Sequence, residues 1–269
     1  MIKRKMSFLL LVALSLTVLS CKGQESEKVR VGLDYHFNNE YKKEKNGKPY
    51  RFHYTWEDKK DSGFSMWDSA FTSLGAETLS LASAPRKQKL SNIDIYIIVD
   101  PDTEKETEKP NFVGQKDIQV ITDWVKAGGI LVLMANDSSN AEFENFNKLA
   151  AQFGIKFNRD KKNPVIGKQF EMGKIMIPAD HLIFKEVNKI YIKEFSSLEL
   201  TSPAKAVLSN KDNDVAMAYA EVGKGLVFAV GDPWLYNEYS NQSRLSADYE
   251  NYKAGKALAE WLINKAKSK

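Results

Sequence analysis

The 269-residue chain contains one cysteine, Cys21, and three histidines, so several kinds of chemistry lack the residues they need. A single cysteine cannot form an internal disulfide. Because Cys21 falls in the leader described below, the mature domain also lacks a thiol nucleophile. There is no His-x-x-x-His pair and no EF-hand spacing, the patterns that indicate zinc and calcium sites. We therefore expect neither a metal nor a cofactor.

Charge of one sign is also scarce. Lysine and arginine total 39 against 35 acidic residues, which leaves a formal net charge of +4. The lysines are scattered along the sequence and form no basic stripe. Proteins that bind nucleic acid concentrate their basic residues on one face, so this composition argues against nucleic acid as a partner.

The first residues have the pattern of an export signal. Lys3, Arg4 and Lys5 precede an apolar stretch, 8–19, that is too short to span a bilayer as a mature helix. Val18-Leu-Ser-Cys21 resembles a bacterial lipobox, which implies that Cys21 is acylated and holds the protein to the lipid bilayer of the cell envelope. The alternative is a leftover cysteine in an ordinary secretory leader. We predict a signal peptide over 1–21, a tether over 22–28 and one α/β domain over 29–269.

Short apolar runs alternate with amphipathic helices in the first half of the domain. The predicted strands are 29–33, 78–82, 94–99 and 129–134, and the helices between and after them are 64–74, 117–127 and 142–153. This order predicts a parallel sheet with right-handed crossovers.

The second half reads differently. Short strands are predicted at 169–172, 175–177, 190–195, 205–208 and 215–219, and a last helix at 252–266. The runs 215–219 and 226–230 flank Gly223-Lys-Gly225, which predicts an antiparallel hairpin added to the parallel sheet.

Three predicted buried strands run directly into polar and aromatic residues. The residues that follow them are Asp100 and Asp102, then Asn136 and Asp137, and then Asp232, Trp234, Tyr236, Asn237, Glu238 and Tyr239. In open α/β sheets the ligand crevice lies outside the carboxyl ends of the strands. We therefore expect these residues to surround a ligand crevice.

The stretch 34–61 is too long for an ordinary connection and too aromatic to be disordered. It contains Tyr35, His36, Arg51, His53, Tyr54, Trp56, Glu57 and Asp58. We predict that it forms a lid over the crevice.

Several motifs together resemble a domain of uncharacterised function that is found C-terminal to some unsaturated rhamnogalacturonyl hydrolases of Bacteroidetes. They are Val31-Gly-Leu-Asp-Tyr35, Phe52-His-Tyr-Thr-Trp-Glu-Asp58, Ile97-Ile-Val-Asp-Pro-Asp-Thr103, Trp124-Val-Lys-Ala-Gly-Gly129, Gln169-Phe-Glu-Met-Gly173 and Gly231-Asp-Pro-Trp-Leu-Tyr-Asn-Glu-Tyr239. The resemblance covers nearly the whole mature chain. Such domains resemble the class I glutamine amidotransferase fold, a flavodoxin-like three-layer sandwich.

The amidotransferase likeness implies a fold and not a reaction. The amidotransferase nucleophile is a cysteine at a sharp turn after a strand, whereas here the fourth strand ends Met134-Ala-Asn-Asp137. Glutamine hydrolysis is therefore excluded. The helical-barrel catalytic domain of the fused hydrolases is absent as well.

Aromatic side chains at the crevice suit sugar rings, while amides and carboxylates bind hydroxyls. Tyr35, Tyr54, Trp56, Trp234, Tyr236 and Tyr239 are the candidates, although aromatics also fill cores. Arg51 is a candidate partner for a uronate carboxylate. His53 is equally suited to contact a ligand or to pack inside the lid. The acidic strand ends could hold a hard cation, but we favour the alternative that they cap helices and turns.

Three hypotheses follow. The first is a carbohydrate-binding lipoprotein whose ligand is a pectin-derived uronic oligosaccharide. The second is a hydrolase acting on the same glycans, with Asp100 and Glu57 as its catalytic carboxylates. The third is a docking module for a separate rhamnogalacturonyl hydrolase.

Overall fold

The computed structural model describes residues 28–269. The predicted signal peptide, Cys21 and the tether up to residue 27 lie outside the described residues, so the expected lipid anchor stays a prediction. Among residues 28–269, no helix combines the length and apolar character that crossing a membrane requires.

Strands and helices alternate along the chain. The strands are β1 Arg30–Asp34, β2 Tyr41–Lys43, β3 Pro49–Arg51, β4 Glu77–Leu81, β5 Ile95–Val99, β6 Ile130–Met134, β7 Ile155–Phe157, β8 Lys174–Met176, β9 Lys189–Tyr191, β10 Leu198–Leu200, β11 Lys205–Ser209, β12 Val215–Val222 and β13 Gly225–Val230. The helices are α1 Ser65–Ser73, α2 Lys87–Leu90, α3 Gln115–Lys126, α4 Phe143–Ala150, α5 Asn237–Ser240 and α6 Asn251–Lys267.

Seven strands form the main sheet in the order β11-β12-β13-β6-β5-β1-β4. The five strands from β13 to β4 are parallel, and β12 and β11 continue the sheet in antiparallel fashion. The predicted α/β class, the parallel sheet and the added hairpin are confirmed. We call the edge where the parallel strands begin the amino edge, and the edge where they end the carboxyl edge.

The central strands are apolar throughout because both faces of the sheet are covered. Side chains of a strand alternate between the faces. Ile97 therefore enters one core, with Trp67 of α1 and Leu258 of α6, whereas Ile98 enters the other, with Phe146 of α4. Each such fully buried side chain contributes about 1.5–3 kcal/mol of transfer free energy.

Two predicted strands of the second half are wrong or too long. Residues 170–173 form a 3₁₀ turn, because the amide of Met172 bonds to the carbonyl of Gln169 three residues back. The strand predicted over 190–195 ends at Tyr191, and Glu194 adopts a left-handed backbone with φ of 51°. The lid, in turn, contains the small β2–β3 hairpin, which the sequence did not indicate.

Candidate functional site

The carboxyl edge gathers polar residues from distant parts of the chain. The hydroxyl of Tyr54, from the lid, donates a hydrogen bond to Asp100 Oδ2 at 2.9 Å. Asn136 Nδ2 donates to the same oxygen at 3.1 Å. The structure thus brings together three residues that the sequence analysis had placed on one edge.

Asp100 is buried in this cluster, and its Oδ1 has no hydrogen-bond partner among the described residues. Burial raises the pKa of Asp100 well above its usual range, and the charge of Glu106 adds to the rise. Burial therefore disfavours the charged form of this carboxyl. Its backbone φ of 41° is a left-handed conformation that is strained for a residue other than glycine.

Asp232 is the second buried carboxyl of this edge. Burial raises its pKa well above the usual range, while Lys193 acts in the opposite direction. Its Oδ1 also has no partner in the described part of the chain. Burial raises the pKa of Tyr236 well above its usual range, and the charges of Asp232 and Asp100 add to the rise.

The expected hollow over this edge is filled by the lid. Tyr54 is 5% exposed, Trp56 6% and Trp234 1%. Trp56 packs against Trp67 at 5.9 Å between ring centroids, and Trp234 packs against Phe184 at 5.9 Å. The prediction that Tyr54, Trp56 and Trp234 present sugar-stacking faces is wrong, because the lid turns these rings into the core.

Other predicted ligand contacts are used inside the protein. Arg51 donates to the carbonyls of Tyr35 and Asn38 at 2.7 and 2.8 Å and to Asn39 Oδ1 at 2.6 Å. Its guanidinium fastens the lid to itself, so several of its donors are already used, and the expectation that Arg51 binds a uronate stays a prediction. His53 Nδ1 is likewise 2.7 Å from Glu40 Oε1.

The remaining candidates hold turns or neighbouring segments. Asp102 accepts hydrogen bonds from Asn39 N and Thr107 Oγ1, and Asp137 caps the turn that follows β6. Glu238 Oε2 is 2.7 Å from Arg244 Nε. Asp102 and Asp137 are buried, and Asp102 Oδ1 has no hydrogen-bond partner among the described residues.

Glu57 and Asp100 do not share a cavity. Glu57 is exposed and accepts hydrogen bonds from the Tyr35 hydroxyl at 2.6 Å and from Ser80 Oγ at 3.0 Å. Asp100 lies buried behind Tyr54, away from that surface. The predicted catalytic pair is therefore not assembled as a pair.

An open depression of about 770 Å³ lies on the outer side of the lid, and we call it the lid depression. Its lining residues are Lys43, Glu44, Lys45, Tyr50, Arg51, Thr55, Glu57, Asp58, Lys59 and Lys60. Among the described residues, no carboxylate pairs with any of its four lysines. Lys60 Nζ stands 5.7 Å from the centre of the Tyr50 ring.

A second depression, of about 610 Å³, adjoins the first, and we call it the hydroxyl depression. Its lining residues are Trp56, Glu57, Lys59, Ser65, Met66, Asp68, Ser69, Thr78, Ser80, Asn237 and Asn241. Glu57 and Lys59 line both depressions, so the two lie side by side, and together we call them the groove. Of the predicted ligand residues, Arg51 lines the lid depression, and Trp56 and Asn237 line the hydroxyl depression.

Sequence reasoning missed the groove lysines and the serines of α1. The sequence feature that could have revealed these lysines is that Lys43, Lys45, Lys59 and Lys60 all lie within the one long aromatic stretch, 34–61. The β2–β3 hairpin carries Lys43 and Lys45, and the loop that follows it adds Lys59 and Lys60, up to 17 positions away, to the same depression.

A third depression, of about 470 Å³, lies beside β9 and α5. Tyr191, Lys193, Glu194, Tyr239 and Arg244 are among its walls. Arg244 is bound to Asp61 at 2.7 Å as well as to Glu238, and Lys193 lies 3.6 Å from Glu194. These cations are therefore largely neutralised by acids.

No protein-family profile and no curated protein sequence matches the chain. Solved structures do match. The N-terminal domain of mmIFT52 superposes with a TM-score of 0.63 at 16% identity, over 87% of this chain and 96% of that domain. A β-galactosidase from Rahnella sp. R3 superposes with a TM-score of 0.52 at 13% identity, over 87% of this chain but only 31% of the enzyme.

A GMP synthase-like protein from Thermoplasma acidophilum also superposes, with a TM-score of 0.50 at 11% identity, over 90% of this chain and 96% of that one. Identities this low show the fold alone. The chain accordingly has the flavodoxin-like fold that glutamine amidotransferases share, and residues 28–269 hold no cysteine for amidotransferase chemistry.

Proposed function

We propose that the protein is a cell-envelope lipoprotein that binds an acidic carbohydrate, a pectin-derived uronic oligosaccharide, in the groove formed by the lid and hydroxyl depressions. The observation that carries this proposal is the set of four lysines without acidic partners in the described chain, which surround an open depression beside Tyr50. The site thus lies on the outside of the lid, and not beneath it.

The two halves of the groove suit two parts of such a ligand. The lysines of the lid depression match uronate carboxylates, and the half-buried ring of Tyr50 offers an apolar face to a sugar. Ser65, Ser69 and Asn241 of the hydroxyl depression are donors and acceptors for uncharged sugar hydroxyls.

The ligand has to be an oligomer to bind well. Each exposed ion pair contributes only about 0–1 kcal/mol, so one uronate on one lysine gives little affinity. Four lysines spread over about 770 Å³ favour a chain that carries several carboxylates. Because these pairs are exposed, binding should weaken steeply as salt is added.

Two likenesses support the choice of a pectic glycan. The sequence motifs resemble the domain fused to unsaturated rhamnogalacturonyl hydrolases of Bacteroidetes. The same fold also occupies about a third of a β-galactosidase, itself an enzyme acting on a glycan. The lipobox-like Cys21 supports anchoring at the periplasmic or outer-membrane surface.

A hydrolase is the second candidate. Glu57 and Asp68 are two carboxylates that line the hydroxyl depression together, which is the residue type that glycoside hydrolysis needs. Asp100 plays no direct part in this version, because it does not border the groove.

A docking module for a rhamnogalacturonyl hydrolase is the third candidate. Met172 and Met176, 37% and 59% exposed, line a common surface depression on the side of β8. Methionines are frequent at adaptable protein-binding surfaces.

Calorimetric titration with oligogalacturonides and with neutral galactan oligomers of equal length tests the binding proposal. We expect heat of binding from the acidic oligomers alone, together with no release of reducing ends. Equal affinity for the neutral oligomers would contradict it, and turnover would favour the hydrolase.

A further inference from the structure

The amino edge of the sheet carries a cluster of cations around the point where the described chain begins. Its members, which we call the amino-edge cluster, are Lys28, Arg30, Lys126, Lys224, Lys267 and Lys269. The amide of Lys224, in the turn between β12 and β13, donates to the carbonyl of Lys126 at 3.0 Å. Lys269 Nζ donates to the carbonyl of Gly128, in the turn just after α3.

Few acids oppose these cations. Glu77 pairs with Arg30 at 3.2 Å, and Asp94 accepts a hydrogen bond from the amide of Arg30 at 2.8 Å. Lys126, Lys224 and Lys267 are exposed, and none has a carboxylate within ion-pair distance in the described chain. The edge therefore presents an excess of positive charge, although the whole chain carries only +4.

Helix ends explain part of the cluster. Lys126 and Lys267 lie in the last turns of α3 and α6, where the helix dipole favours a cation. That argument does not cover Lys224, which lies in a hairpin turn, or Lys28, which precedes β1. Positive residues from four separate segments converge on one edge. Favourable charges at helix ends do not by themselves account for all of them.

We propose that the amino edge is a membrane-contact face that binds anionic phospholipid headgroups. Lys28 ends the seven-residue tether 22–28, whose full extension is at most about 25 Å. An acylated Cys21 would therefore keep this edge within about 25 Å of the bilayer. The orientation by the tether depends on the proposed acylation of Cys21, whereas the attraction of the cluster to anionic headgroups does not.

This orientation has a consequence for the groove. The lid follows the carboxyl end of β1, at the far edge of the sheet from the tether. With the amino edge on the membrane, the lid depression faces away from the bilayer and stays open to a soluble polysaccharide. The attraction acts within about 8–10 Å, the Debye length at physiological salt, so the contact has to be close.

Sedimentation with lipid vesicles tests the face without the anchor. The protein is the chain from residue 21 with Cys21→Ser, which keeps every described residue. Vesicles of phosphatidylcholine are compared with vesicles that also contain phosphatidylglycerol. We expect binding to the anionic vesicles alone, with release as salt is raised.

Two charge-matched variants test whether binding to anionic vesicles depends on the amino edge or on the net charge of the protein. Lys126→Gln/Lys224→Gln/Lys267→Gln should weaken vesicle binding about tenfold or more, since each lysine near an anionic surface is worth about fivefold. Lys43→Gln/Lys45→Gln/Lys60→Gln removes the same charge from the lid and should leave vesicle binding within about twofold. All six lysines are exposed, so both proteins should fold.

No binding of the parent protein to anionic vesicles, or equal losses in the two variants, would overturn the proposal. Titration of the same proteins with an oligogalacturonide separates it from the function of the groove. The amino-edge variant should keep its affinity for the uronide, and the lid variant should bind it about threefold or more weakly. A lid variant that keeps uronide binding would contradict the groove and leave the membrane face standing.

Discussion

Tyr54 and Asp100 meet through a 2.9 Å hydrogen bond although both have a left-handed backbone, with φ of 48° and 41°. Each such conformation costs about 1–3 kcal/mol in a residue other than glycine. The hydrogen bond joins the lid to the end of β5, so the strain is concentrated where the lid closes over the sheet.

This pair predicts opposite results for two substitutions of Asp100. Asp100→Asn keeps an acceptor for Tyr54 and suits a left-handed backbone, so the free energy of unfolding should hold or rise. Asp100→Ala leaves the Tyr54 hydroxyl and Asn136 amide without their partner and should cost about 1–3 kcal/mol. Urea denaturation at neutral pH measures both.

Asp100→Asn should also flatten the dependence of stability on pH. Burial raises the pKa of Asp100 in the folded state, so the folded chain binds more protons than the unfolded chain above pH 3.8. Stability is therefore lost as pH rises, and the amide removes that loss. A steeper slope in Asp100→Asn than in the parent would contradict the assignment.

Asp34 and Asp102 predict a second, bounded effect of pH. Burial raises the pKa of each carboxyl from 3.8 to about 6. The stabilising contribution of the two protonated forms is fully present below pH 3.8 and is lost as pH rises through about 6. The melting temperature should fall over that window, and Asp102→Asn should reduce the fall. A melting temperature that rises between these two pH values would show that other groups dominate.

The position of the polar strand ends was predictable, and the closure of the lid was not. A buried run followed by Asp100 or Asn136 marks a strand that ends at the carboxyl edge. Whether Trp56 and Trp234 then face solvent or the core depends on the direction of the lid backbone. That direction is set at His53 and Tyr54, whose positive φ values have no signature in residue type or period.

The groove escaped prediction for a different reason. The lysines of the lid depression are not part of a hydrophobic repeat, so no sequence period indicates that they lie together. Their proximity depends on the β2–β3 hairpin, a pair of three-residue strands. Arg51 was the expected partner of a uronate carboxylate, yet its guanidinium donates to two backbone carbonyls of the lid. Strand pairing decides where the lysines lie, and nearby backbone acceptors decide what Arg51 binds. Neither can be predicted from one segment of the sequence alone.

Trp234 tests the reassignment of the aromatic residues to the core. Trp234→Ala should lower the free energy of unfolding by about 3–5 kcal/mol, because it empties a fully buried site. Trp234→Phe should cost much less, since the Trp234 indole nitrogen has no hydrogen-bond partner to lose among the described residues. Both should bind oligogalacturonides like the parent protein at temperatures where they are folded. Loss of oligogalacturonide binding by a folded Trp234→Phe variant would contradict this reassignment and indicate that Trp234 belongs to the binding site.

The lysines of the lid depression predict a charge-dependent affinity. Lys43→Gln/Lys45→Gln/Lys60→Gln should weaken oligogalacturonide binding about 3- to 160-fold, from about 0.2–1 kcal/mol for each exposed pair. It should also reduce the salt dependence of the affinity. The matched control is Lys126→Gln/Lys224→Gln/Lys267→Gln, which removes the same charge at the amino edge. Equal losses would indicate a general effect of net charge.

The hydroxyl depression predicts that affinity depends on ligand length. Ser69 is exposed on α1 and lines this depression, so Ser69→Tyr should fill part of it without disturbing the core. Short oligogalacturonides, held by the lysines alone, should bind the variant and the parent equally. Longer ones, which reach past Glu57, should lose their added affinity in the variant.

Gln119→Tyr, on the exposed face of α3, is the control for a new surface tyrosine. If long and short oligomers lose affinity together, the ligand enters the groove from the other end. If neither loses any, the ligand stays within the lid depression.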